Sequence, residues 1–372
     1  MALLEIGDKE LMGYYVLYIS LFFSFYLLRV DKSVQNRKIF CGLFGIVVFL
    51  FFALRDVSLG MYDVLESYAP MFDRLHYLSF RDIFATYSAD YLFYITSKIV
   101  GFFTTNVNVW LAIMSLPIVI AVSKLINRYS EMAWISWILF FSLGYFNLNV
   151  TIMRQSIAMA FGIFSFLSEA NGNRKRAIFY CLIAFGFHTT GIISIVPILW
   201  NVLKIKMNFK RGIFVVAGSL LLWGVSSIVM EYVFNHFAYA RFQRYLLHIE
   251  GFNMTMLLVY VAIFMFCLCL HCIEQKNLSI YEIEYSLDHW MLWLVALSLP
   301  ILSLTSSFST VFRVALYCNI YCIICVPNAI MKIRSQLLRL IVASGVIGVC
   351  VYYGAIRGLL EVTPYVSWIS RL

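Results

Sequence analysis

The sequence predicts an all-α, polytopic integral membrane protein of about 10–12 transmembrane helices, with one or two re-entrant or interfacial helices. Composition is the first observation behind that class. The 372 residues are 62% hydrophobic and 13% charged, whereas soluble domains hold roughly 45–50% apolar and about 25% charged residues. Run length is the second. Apolar stretches of about 16–25 residues suit helices crossing a ~30 Å hydrocarbon core, while barrel strands would be shorter and would alternate. The third is that no stretch reads as a separate soluble domain. The longest polar segment, Arg55 to Asp90, covers roughly 35 residues and stays rich in aromatics.

In chain order, spans are expected at Met12–Arg29, Ile39–Leu54, Val107–Ser123, Ala133–Phe146, Ile152–Ser168, Ile213–Phe234, Met254–Ile273, Trp290–Leu304, Val311–Met331 and Leu340–Ile356. The first is read as retained, because the acidic start Met1-Ala-Leu-Leu-Glu5 has neither the basic region nor the small-residue cleavage site of a signal peptide. Basic loops at Arg29–Lys38, Lys124/Arg128, Arg174–Arg176, Lys204–Arg211 and Lys332–Arg339 orient the spans by the positive-inside rule. All become cytoplasmic if Tyr91–Phe103, which carries Lys98, stays on the outer face and Ala177–Leu203 enters from the cytoplasm and returns. Each arm of that hairpin would be about 20 Å long, with His188 near the apex. The competing scheme makes Ala177–Leu203 one tilted span and puts two basic loops outside. In the hairpin scheme residues 1–372 form one polytopic domain. Outer-face loops then fall at 55–106, with interfacial helices, and at 235–253.

The net charge of +9 sits in these short loops, in no block long enough for nucleic acid. Nine cysteines lie mostly inside apolar runs. Cys267-Leu-Cys-Leu-His-Cys272 and Cys318-Asn-Ile-Tyr-Cys-Ile-Ile-Cys325 lack the paired spacings of zinc sites, so no metal is expected.

The informative residues are cations in apolar sequence. Arg154 opens a span behind a polar strip, Asn147, Asn149 and Thr151, and is followed by Gln155 and Ser156. An interfacial arginine can snorkel to headgroups, but an ionisable residue within a span is by default a functional candidate. Arg313 repeats the pattern at another span start, and Arg55 closes a span just before Gly60 and Asp63. Arg241, Arg244 and His248 fall on one face of a short helix in the second outer loop, with aromatics between them. His188 interrupts an apolar run and offers either a packed core ring or a proton acceptor. Topology should deplete arginine on the outer side. Its presence there points to a membrane-embedded anion such as a phosphate or diphosphate, for which arginine forms bidentate bonds.

The order Leu54-Arg55, Gly60 and Asp63, then Met153-Arg154-Gln-Ser-Ile-Ala, the basic turn Arg174-Lys-Arg176, Phe187-His188-Thr-Thr, Arg313 and Pro364-Tyr365 resembles the EpsG-like branch of the bacterial Wzy-type polysaccharide polymerases. The likeness covers most of the chain and is most specific from Asn147 to Pro197. It departs at Gly60-Met-Tyr-Asp63, where such proteins often show Gly-Thr-Asp, which puts the register of Asp63 in doubt. The resemblance implies glycosyl transfer at the outer face of the bacterial inner membrane. A polyprenyl-diphosphate-linked oligosaccharide would be the donor, a second lipid-linked repeat unit the acceptor, and a chain-length regulator and a flippase would be partners. It assigns Arg154, Arg313 and Arg55 to the diphosphate, His188 or Asp63 to the acceptor proton, and Arg241 and Arg244 to glycan or a second diphosphate. No cofactor is required. Two other classes compete. A flippase for lipid-linked glycan would also line a cavity with cations, but would be expected to show paired broken helices. A membrane O-acyltransferase could use His188, yet leaves the arginines without a clear task.

Overall fold

The computed structural model describes residues 33–59, 63–203, 205, 207–237, 254–275, 287–356 and 365–371. The expected span Met12–Arg29, Gly60, the loop carrying Arg241 and Arg244, and Pro364 lie outside these residues. Among the described residues every regular element is helical, apart from one isolated antiparallel bridge between Arg55 and Ser367. The chain is thus an all-α, multi-pass membrane protein. Six described helices are long and apolar enough to span a bilayer, and a bent pair makes up to seven. The chain separates into two compact units, Met1–Ile198 with Leu340–Leu372, and Leu199–Arg339.

The first unit opens with α1 (Val34–Ala53), capped by the Ser33 side chain, which accepts from the Asn36 amide. After a π-helical turn (Asp63–Tyr68) come α2 (Ala69–Tyr77), α3 (Phe80–Thr86) and α4 (Tyr91–Gly101). Pro70 in the first turn helps start α2, where its missing amide costs nothing. Ser79 and Asp82 close a reciprocal capping box on α3. Lys98 is buried on α4, where its ammonium donates to the Leu75 carbonyl at 3.0 Å and lies over the Phe80 and Phe102 rings. This cation therefore fastens α4 to the end of α2.

Helix α5 (Val107–Tyr129) packs against α1 and against α8 (Met153–Ala170). Between them, the expected span Ala133–Phe146 is broken. Gly144, at φ 79°, ends α6 (Ala133–Ser142) and lets α7 (Tyr145–Thr151) turn away by 54°. Ile152 breaks the chain again before α8. Helix α8 falls short of the apolarity of a lipid-facing span because Arg154, Gln155 and Glu169 lie in it, and most of its surface is buried by protein. The polar strip preceding it largely serves the backbone. The Asn149 amide donates to the Tyr145 carbonyl and the Thr151 hydroxyl to that of Asn147, each four residues back.

Helix α9 (Arg174–Phe187) stops at His188, and the 3₁₀ helix Thr189–Ile195 folds back along it. The Ser165 hydroxyl reaches both the Ala177 carbonyl, 2.8 Å, and the Ser194 carbonyl, 3.5 Å, so the two arms run side by side. Helix α10 (Val196–Leu203) continues from the second arm. The arms touch at Gly191, where a Cβ would stand 2.3 Å from the Ala184 carbonyl carbon and oxygen. Gly191→Ala should therefore cost about 1–3 kcal/mol through overpacking. A lowered Tm in detergent checks this, and an unchanged Tm would mean the hairpin is looser than drawn.

The second unit contains α11 (Phe209–Phe237), α12 (Thr255–Gln275), α13 (Leu287–Ser303), α14 (Phe312–Asn319) and α15 (Cys322–Met331). Only 17% of the α11 span is buried within protein, against 89% for Phe312–Met331, so α11 faces lipid and α14–α15 form the interior of the unit. His271 and His289 meet at 3.2 Å, and the Met207 amide donates to His289 Nε2 at 2.8 Å. Helix α16 (Gln336–Ile356) follows, and 365–371 returns to the first unit.

Candidate functional site

Arg154 lies in the first turn of α8, with its side chain 29% exposed. Its Nη1 donates to Asp90 Oδ2 and to the Tyr94 hydroxyl, both at 3.1 Å, and its guanidinium sits 5.7 Å from the Tyr68 ring centroid. Asp90 is buried and is the one non-glycine residue with positive φ (60°) among the described residues, a conformation aspartate tolerates better than most. Its other oxygen accepts the Thr189 amide at 3.0 Å. One carboxylate therefore joins the start of α8, the start of α4 and the tip of the hairpin.

A cavity of about 460 Å³ opens beside this pair, lined by Tyr68, Arg74, Tyr87, Phe93, Tyr94 and Arg154 among others. Its volume falls within the ~300–1,000 Å³ usual for small-molecule sites. Tyr87 and Tyr94 stack with centroids 3.6 Å apart. Burial raises the Tyr94 hydroxyl pKa, opposed by Arg154, and the hydroxyl oxygen accepts from Arg154. Two guanidiniums and several phenols thus face one cavity, an arrangement able to bind a polyanion attached to a ring or chain.

Arg55 has a different setting. It is 1% exposed, just past the end of α1, 5.9 Å from the Phe52 ring centroid and electrostatically coupled to Tyr365 and Tyr68. Burial pulls its pKa down to about 10, so it remains charged at neutral pH. Its Nε and Nη1 are buried without a hydrogen-bond partner among the described residues. Each such donor costs about 1–3 kcal/mol while it stays unmade. Residues 365–371 close over it. The Tyr365 hydroxyl donates to the Phe51 carbonyl at 2.7 Å, Trp368 Nε1 to that of Ala53 at 3.2 Å, and the Asp56 amide to that of Val366 at 2.9 Å. Tyr68 is electrostatically coupled to both Arg55 and Arg154 and so links the two guanidiniums.

His188 caps the hairpin turn. Its Nδ1 accepts the Thr190 amide at 3.2 Å and lies 2.7 Å from the Thr190 hydroxyl. An amide can only donate, so Nδ1 is unprotonated and the neutral ring carries its proton on Nε2. Asp63 opens the π-helical turn, but its side chain is outside the described set. Arg313 is half-buried in the first turn of α14, in the second unit. Among the described residues no three His, Cys, Asp or Glu gather in a metal-holding group. The first unit thus brings Arg154, Arg55 and the His188 turn into one neighbourhood. Sequence reading did not single out Asp90, Tyr68, Tyr94 or Arg74. The only available signal was the density of tyrosines between two arginines.

The fold is that of a multi-pass helical membrane protein, with an arginine-and-tyrosine cavity where a buried helix begins. No curated protein and no solved structure matches the chain. The EpsG family model matches residues 38–367, nearly the whole chain, and the protein belongs to that family, a family of Wzy-like polysaccharide polymerases.

Proposed function

We propose that the protein polymerises polyprenyl-diphosphate-linked oligosaccharide repeat units at the outer face of the bacterial inner membrane. The observation that carries this reading is the Arg154–Asp90 pair at the edge of the tyrosine-lined cavity, with Arg74 on the same wall and the unsatisfied Arg55 linked through Tyr68. An acceptor sugar hydroxyl attacks the anomeric carbon of the donor, the bond from that carbon to the diphosphate oxygen breaks, and the lipid diphosphate leaves with the electron pair. Negative charge grows on the leaving group, where preorganised guanidiniums stabilise it most. Arg154 and Arg55 fill that role in this reading, and Arg241 and Arg244 contact glycan or a second diphosphate. Asp63 takes the hydroxyl proton. His188 has its Nδ1 lone pair engaged by Thr190, which leaves its Nε2–H to hydrogen-bond the departing oxygen without giving up the proton.

Purified full-length protein in vesicles, supplied with a defined lipid-linked repeat unit, should yield a ladder of longer glycans. His188→Ala should lower the yield about 10–100-fold at equal protein level, the scale of a lost hydrogen bond to a charged group. Movement of the unit across the bilayer with no ladder would replace this reading with transport.

A further inference from the structure

A second cavity, of about 720 Å³, lies toward the other end of α8, lined by Arg37, Lys124, Arg128, Arg176, Phe161 and Phe164 among others. Ser168 at its rim is fourteen positions beyond Arg154 on α8, roughly 21 Å along the axis. The four cations come from three helices, α1, α5 and α9, and none of the lining side chains is acidic. Nearby Glu169 is held by Arg174, at 2.8 and 3.1 Å.

Among the described residues, the partners of these cations are neutral. Arg37 Nη1 donates to the Ser130 carbonyl at 3.1 Å, while its Nε is buried without a partner among the described residues. Arg128 bonds the Asn171 side chain. Arg176 donates to the Tyr180 hydroxyl at 3.0 and 3.2 Å, and the Lys124 ammonium lies 5.4 Å from the Phe164 ring centroid. Positive charge that only sets topology can be scattered over loops. Here it converges on a groove walled by aromatic rings, and carbonyls and phenols orient the cations without neutralising them. Such a site suits an anion with an apolar body.

We propose that this groove binds the phosphate of an anionic glycerophospholipid from the leaflet opposite the Arg154 cavity, with the acyl chains lying along Phe161 and Phe164. The full-length protein in mixed micelles of phosphatidylglycerol and phosphatidylcholine should retain phosphatidylglycerol in native mass spectrometry. The triple substitution K124Q/R128Q/R176Q should reduce that preference roughly 100-fold, by about fivefold for each cation lost. The charge-conserving pair R128K/R176K preserves the topogenic charge but removes the planar fork, and should give a smaller loss, about tenfold. Arg154→Lys should leave lipid retention unchanged, which separates this site from polymerisation. An unaltered preference in both groove variants would overturn the proposal. Displacement of the lipid by excess inorganic phosphate would also overturn it, by assigning the groove to a free anion.

Discussion

Arg154→Lys should abolish polymer in a complementation assay, by about 100-fold or more, while the protein reaches the membrane at near wild-type level. The substitution keeps the positive charge, so the attraction to Asp90 survives and the fold should tolerate it. What disappears is the planar fork. An ammonium that holds Asp90 and Tyr94 has one N–H left, whereas the guanidinium keeps Nε and Nη2 to present in fixed directions to a diphosphate. Cells carrying the variant should accumulate single repeat units on the outer face. Full-length polymer at matched protein level would remove Arg154 from the reaction, and precursor stranded on the cytoplasmic side would point instead to a flippase.

Arg55→Met gives the second large effect, with an opposite sign for stability. A buried guanidinium with two donors unpaired among the described residues is a liability to the fold, and replacing a buried charge by a well-packed apolar side chain is often neutral or stabilising. The variant should therefore keep or raise its Tm while polymer falls about 10–100-fold. A purely structural arginine would show the reverse pattern, a lower Tm with polymer falling only as far as protein level does. Measuring thermal unfolding in detergent beside polymer yield separates the two.

Much of this architecture could be read from the residues because a bilayer imposes strict rules. Long apolar runs must be helices, and basic loops mark one side. The return of Ala177–Leu203 could be inferred from charge placement, and the structure supplies its cause in the contact between Gly191 and Ala184. The break at Gly144 was hidden, since the residues before it are as apolar as any span, whereas the polar strip from Asn147 to Thr151 already marked a boundary before α8. Arg154 stood out because a cation in apolar sequence is conspicuous. Asp90 did not, because an aspartate in a polar loop looks like any solvated carboxylate. Only the fold carries it across 64 positions to Arg154 and buries it. Tyr68 and Tyr94 were hidden for a similar reason, since tyrosines near an interface are ordinary anchors until their hydroxyls and rings are placed. Arg74 carried no signal in a polar segment and gains one only from the cavity in front of it.

The strand-like clasp of residues 365–371 on the end of α1 also sets an order of events in biosynthesis. Arg55 leaves the ribosome early, but the Tyr365 ring and the Val366 and Ser367 backbone that enclose it are made some 310 residues later. At roughly 5–20 residues per second that interval is about 15–60 s. During it the whole second unit is synthesised, and the Arg55 chamber lacks its cover. A nascent chain therefore holds a solvated, unconfined guanidinium, and the buried form assembles only after Tyr365 to Ser367 have been added. Completion of the site is thereby tied to synthesis of Tyr365 to Ser367, so a product released before them would insert its first helices yet have no closed chamber around Arg55.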